Sequence, residues 1–199
     1  MSGGKKCYPE SDVLINKYNI RDKELLEKFE IQKVFAKLLG VDVKPTRIAY
    51  TYDVEHMVSI HKYLFGDIYE WAGTFRKENL YKSERVLSGA SAEYADYHEI
   101  EKRLEKLLQE YEKVDWVKNA KKGDVVSDFL LALWSIHPFR EGNGRTQRIF
   151  ISQLIRFCGY DINFSEIDTD ELMIATIHSA NGITDYLKEI FKNHIKETH

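Results

Sequence analysis

At 199 residues, 43% hydrophobic and 31% charged, the chain has the size and composition of one folded domain, which excludes a disordered polyelectrolyte. A formal net charge of -3 offers no overall basic field, so no direct nucleic-acid partner is expected. No apolar run reaches bilayer-spanning length, residues 1–10 carry no hydrophobic signal region, and Cys7 and Cys158 match neither a disulfide framework nor a zinc spacing, so no membrane partner and a reducing cytoplasm are expected.

Residues 1–19, with glycines and a proline, read as an irregular arm whose Val13, Leu14 and Ile15 could dock on a folded core. Asp22 is placed to cap a first helix running to Leu39, with Leu25, Leu26, Phe29, Val34, Phe35, Leu38 and Leu39 as its apolar stripe. Residues 1–50 are therefore expected as an arm and helix packing on a domain over 51–199. A second helix is predicted over 54–65, bearing Met57, Ile60, Leu64 and Phe65. His56 and His61 are five apart on it and fall on different faces, which favours separate structural roles over a shared metal site.

From Thr74 to Val86 the helical period lapses, and Phe75, Leu80, Tyr81 and Val86 fit two short strands. A loop over 88–91 then leads into a long helix over 92–111, with Ile100, Leu104, Leu107 and Leu108 inward. Asp124 is expected to cap the next helix, which Val126, Phe129, Leu130, Leu133 and Trp134 bury.

That helix delivers the stretch His137-Pro-Phe-Arg-Glu-Gly-Asn-Gly-Arg-Thr-Gln-Arg148. Pro138 discourages continuation of the helix, Gly142 and Gly144 allow close approach of a ligand to the backbone, and Asn143 is a plausible cap for the helix that follows. The N–H groups at that helix start would face an anion, which Arg145 and Arg148, three apart, could clamp. Glu141 is a hard oxygen ligand suited to Mg²⁺ among phosphates, and an imidazole such as that of His137 can take a proton near neutral pH. Phosphoryl or nucleotidyl transfer fits the set. Beyond it, residues 145–157 read as a central buried helix stopped by Gly159, Ser165-x-x-Asp168 opens a helix to His178, and 184–194 forms the last.

The stretch from His137 to Arg148 resembles the Fic-domain signature, His-Pro-Phe-x-(Asp/Glu)-Gly-Asn-Gly-Arg-x-x-Arg, at every fixed position. The resemblance extends over about 51–192 and includes 64–73, which in the family leads into a β-hairpin called the flap. It implies an all-α Fic-fold helical bundle with a short flap beside the active-site loop. The implied enzyme is a protein adenylyltransferase, moving AMP from ATP to a Ser, Thr or Tyr hydroxyl of a target protein. By position, His137 resembles the general base, Glu141 the Mg²⁺ ligand, Gly142-Asn143-Gly144 the anion turn, and Arg145 and Arg148 the residues holding the ATP phosphates. The family's flap tip borders ATP, which makes Lys82 and Ser83 nucleotide neighbours. In related proteins an asparagine at the distance of Asn181 borders adenine.

Fic proteins are commonly restrained by a helix bearing (Ser/Thr)-x-x-x-Glu-(Gly/Asn), whose glutamate pairs with the second motif arginine. The full match here, Thr74 to Asn79, lies in the predicted flap without helical context and reads as accidental, while Thr51-x-x-x-Glu55 fails at His56. A separate small antitoxin supplying the inhibitory helix is expected instead, which makes the chain resemble a toxin of a toxin–antitoxin pair. Toxins of this kind often act on type II topoisomerase subunits; a secreted effector is the other setting. Gly144 resembles the AMP-transferring members more than kinase-like ones, with UMP or phosphocholine transfer as further alternatives. An idle peptide-binding module would need none of the motif's charged residues.

Overall fold

The computed structural model describes residues 6–41, 51–83 and 91–198. The chain divides into two compact units, one of residues 1–49 and 58–74, the other of 50–57 and 75–199. Predominantly helical architecture with a short antiparallel hairpin agrees with the expected fold class.

In the first unit, Asp22 accepts a hydrogen bond from the Leu25 N–H (2.8 Å) and starts α1, Lys23–Val41. Its inward sector carries Leu26, Glu30 and Val34, and the buried Glu30 carboxylate is satisfied by the Tyr69 hydroxyl at 2.5 Å. Leu25, Phe35 and Leu39, expected in the apolar stripe, are instead exposed, because the face built around the Glu30–Tyr69 bond is the one turned inward. The arm docks through the Lys17 N–H, which donates to the Ile68 carbonyl (2.8 Å), and through the buried Val13.

Helix α2, Val54–Phe65, begins in the second unit and ends in the first, with Met57, Ile60, Leu64 and Phe65 fully buried. Its two histidines have separate partners, as expected. His56 Nε2 lies 2.8 Å from Gln153 Oε1, and His61 Nδ1 accepts from the Gly73 N–H at 2.8 Å.

In the second unit, β1 (Tyr81–Ser83) pairs antiparallel with β2 (Ser91–Glu93), Lys82 standing opposite Ala92. The return strand thus lies beyond the 74–86 window, and Val86 lies outside the described residues. The long helix starts later than expected, as α3, Ile100–Glu112. Strand pairing takes up 91–93, the Ala95 N–H donates to the Ser135 carbonyl (2.9 Å), and Asp96 Oδ1 accepts from the His98 N–H (2.9 Å) to start a 3₁₀ turn first.

A short α4, Trp116–Asn119, precedes Gly123, whose φ of 76° only glycine adopts easily. A β-carbon at Gly123 would lie 2.7 Å from both the Lys188 carbonyl oxygen and the Lys192 nitrogen. Gly123, not Asp124, takes the cap position of α5, Asp124–Ile136, leaving Asp124 in the first turn. Helix α6, Asn143–Phe157, returns against α5, and Phe129, Leu133, Phe150 and Ile151 interlock between them without solvent contact. After Gly159 come β3 (Tyr160–Ile162), α7 (Thr169–Ala180, capped by Asp168), α8 (Asp185–His194) and β4 (Ile195–Glu197), which pairs antiparallel with β3.

Candidate active site

Helix α5 ends at Ile136, and Pro138 keeps the next residue out of the helical region. His137 adopts φ 49° and ψ 63°, a left-handed conformation that costs a non-glycine residue on the order of 1 kcal/mol or more. The imidazole is buried, 7% exposed, and lies flat against the Tyr94 ring with centroids 3.9 Å apart and planes at 22°. Trp134 meets the same tyrosine edge-on at 5.4 Å.

The turn is closed by Asn143. Its Oδ1 accepts from the Phe139 N–H and its Nδ2 donates to the Phe139 carbonyl, both at 2.8 Å. A backbone pair locked in this way holds the buried Phe139 ring as a plug, 5.7 Å from Phe75. Asn143 is therefore a loop clamp and not the cap expected of it: Gly142, at φ 81°, occupies the cap position of α6.

At the start of α6 the N–H groups of the first turn have no carbonyl within the helix to bond. Gly144 is exposed there, and a β-carbon on it would sit 3.3 Å from Arg148 Nη1. The missing side chain leaves room for that guanidinium beneath the exposed backbone. Burial, and then the neighbouring Arg145 charge, push the Arg148 guanidinium down from its usual range. No carboxylate or carbonyl among the described residues pairs with Arg148.

Glu141 stands at the edge of the same turn, its Oε1 accepting from the Gly142 N–H at 2.9 Å and lying 3.7 Å from Arg145 Nη2. Among the described residues no three His, Cys, Asp or Glu side chains cluster for a metal. A single half-exposed carboxylate fits Mg²⁺, which takes one or two protein ligands and fills its shell with phosphates and water.

Sequence reasoning missed two arginines. Arg140 Nε lies 3.3 Å from Glu78 Oε1, so the glutamate of the accidental inhibitory match is engaged away from Arg148, and the stretch 74–79 is not helical. Arg76, only 3% exposed, donates to the His137 carbonyl (2.8 Å), the Ile136 carbonyl (3.2 Å), the Glu78 carbonyl (2.8 Å) and the Ala95 carbonyl. A lone arginine between Phe75 and the hairpin was the sole hint of it.

The junction of α5 and α6 thus brings together His137, Glu141, Gly142, Asn143, Gly144, Arg145 and Arg148. Lys82 and Ser83 lie on β1. Asn181 sits exposed at the end of α7, its Nδ2 donating back to the Ile177 carbonyl at 2.8 Å. A cleft of about 810 Å³, lined by Tyr52, Tyr111, Trp116 and Phe157 among others, includes none of the motif residues.

Residues 51–155 match the profile of the Fic/DOC family. The chain belongs to the Fic/DOC family. It is 32% identical over 192 residues to the protein adenylyltransferase VbhT of Bartonella schoenbuchensis, covering 95% of this chain but only 38% of that protein's length. It is 33% identical over 180 residues to the probable protein adenylyltransferase y4lH of Sinorhizobium fredii, covering 88% of each. Relatives aligned over most of the chain thus carry the name of one enzyme class, the nucleotidyltransferases. Among solved structures, the BepC protein of Bartonella tribocorum with bound AMPPNP superposes with a TM-score of 0.80 at 24% identity, over 99% of both chains. The N-terminal Fic domain of a Bartonella quintana effector with bound ADP gives 0.82 at 23% identity, over 100% of this chain and 97% of that one. These likenesses are of fold. No described helix is long and apolar enough to cross a membrane.

Proposed function

We propose that this chain is a protein adenylyltransferase that moves AMP from ATP to a hydroxyl side chain of a target protein and releases pyrophosphate. One observation carries the reading most: the partly buried Arg148 stands beside Arg145 at the start of α6, with no carboxylate paired to it among the described residues. A partly buried guanidinium held beside a second cation is costly unless an anion completes it, and a nucleotide's β- and γ-phosphates supply one. The names of the aligned relatives, and the nucleotides bound by the BepC protein and the B. quintana Fic domain, support the same reading.

In this mechanism Arg145 and Arg148 hold the terminal phosphates, and the N–H groups of the Gly142–Gly144 turn stabilise charge on the phosphate nearest them. Glu141 would hold the Mg²⁺, which when bound neutralises phosphate charge. His137 takes the proton of the incoming Ser, Thr or Tyr hydroxyl; its oxygen bonds to the α-phosphorus as the bond to pyrophosphate breaks. The free edge of β1 is a site for an extended target segment to add as a strand, with Lys82 and Ser83 near the nucleotide and Asn181 toward the adenine. Since no described carboxylate reaches Arg148, restraint falls to a small partner protein whose helix supplies a glutamate, and the chain acts as the toxin of such a pair. A type II topoisomerase subunit is the target this analogy favours, with delivery as a secreted effector the alternative setting.

The test is label transfer in cell extract with Mg²⁺ and ATP, comparing wild type with His137→Ala. Expected is α-phosphate label and an added AMP mass on a discrete protein, absent with the variant. Label from the γ-phosphate instead would replace this reading with phosphorylation.

A further inference from the structure

Arg76 plays no part in the chemistry above, yet it is the charged group most deeply set beneath it. Its four carbonyl acceptors fall into two sets. Those of Ile136 and His137 close the last turn of α5, where carbonyls lack helical donors and the helix dipole is negative. Those of Glu78 and Ala95 belong to the two roots of the flap, just before β1 and just after β2. The Arg76 backbone adds a fifth bond, its N–H donating to the Pro138 carbonyl at 2.9 Å.

Next to Ala95 stands Tyr94, whose ring lies on the His137 imidazole. One side chain therefore holds the backbone of the catalytic histidine, in its left-handed conformation, and the backbone next to the ring that packs on it. Only a guanidinium offers five donors in a fixed plane, enough to meet four carbonyls arriving from three segments.

We propose that Arg76 is a positioning residue: it fixes the His137 imidazole and couples it to both roots of the flap, so that the hairpin which receives the target also sets the posture of the base. The coupling itself follows from the contacts; the catalytic arm of its test rests on the adenylyl-transfer reading.

The experiment compares Arg76→Lys and Arg76→Met with wild type in the full chain. Histidine-ring ¹H–¹⁵N spectra, with His137 assigned by its loss in His137→Ala, report the imidazole directly, because the stacked Tyr94 ring shifts its protons upfield. Expected in Arg76→Lys is movement of the His137 signals away from their wild-type positions, with kcat down about 30-fold or more and the KM for ATP within about twofold, since misplacement by an ångström costs rate before binding. Should Arg76→Met fail to fold, Arg76→Lys, which keeps the charge and stem, decides. Unmoved His137 signals in a folded Arg76→Lys variant, or a kcat loss that merely tracks the unfolded fraction, would overturn the proposal. If wild type transfers no AMP, the functional reading fails while the spectra still test the coupling.

Discussion

Two arginines, the buried Arg76 and the partly buried Arg148, serve the same turn, and they are solved in opposite ways. Arg76 gives its donors to four carbonyls, and its charge is spent on the protein itself. Arg148, by contrast, has no carboxylate or carbonyl partner among the described residues. Burial pushes both guanidinium groups down from their usual range, so the direction of that shift does not distinguish them. What distinguishes them is the count of acceptors. A saturated buried cation marks scaffold, and a bare one marks a place where a ligand completes the electrostatics.

The contrast can be broken most sharply at the residue between the two arginines. His137→Ala should lower transfer about 10³-fold, and His137→Gly equally, while the glycine variant should be about 1 kcal/mol more stable than the alanine one because φ 49° is strained for alanine. Label transfer and chemical denaturation check the two halves. Next, Arg148→Met should weaken nucleotide binding about 10²-fold by calorimetry with no fall in Tm, whereas Arg76→Met should lose roughly 3 kcal/mol of stability. Equal destabilisation by both would erase the distinction. Asn143→Ala, which strips both bonds from Phe139, should cost about 2 kcal/mol in denaturant unfolding.

A smaller effect comes from His56, whose pKa burial holds below the ordinary histidine value. The unfolded chain then binds the proton more readily than the folded one, so stability is full above about pH 6.5 and falls as pH drops through that value toward the folded-state pKa. Thermal melts across pH 7.5 to 5.5 should show the decline in wild type and less of it in His56→Gln. Least of all, Phe35→Gln on the exposed face of α1 should change stability by less than about 0.5 kcal/mol.

How much was legible from sequence follows the reach of each interaction. The site was readable where its parts lie in one continuous stretch: the proline, the glycines and the charged residues of 137–148 dictate a turn and its chemistry together. Arg76 was not readable, since two of its acceptors lie 60 and 61 positions away and no local pattern signals them. The return strand is three residues long, too short for a period of two to declare itself, and its alanine and glutamate suit a helix as well. Asp96, a good cap, was the available cue that the helix starts later. In α1 the period was real and Leu26 and Val34 do face the core, but the stripe was drawn too wide: Leu25, Phe35 and Leu39 are exposed, and a buried glutamate paired with a tyrosine 39 positions on shares the inward face.

Gly123 gives the active site its mechanical tolerance. It anchors the base of α5 against the α8 backbone at a distance no side chain permits, and His137 rides at the far end of that 13-residue rod. A rod of this length is about 20 Å, so a tilt of roughly 3° at the root swings the histidine by about 1 Å. The position of His137 is thus set by clearance at a glycine a whole helix away, and a single methyl group there would act as a shim under the lever.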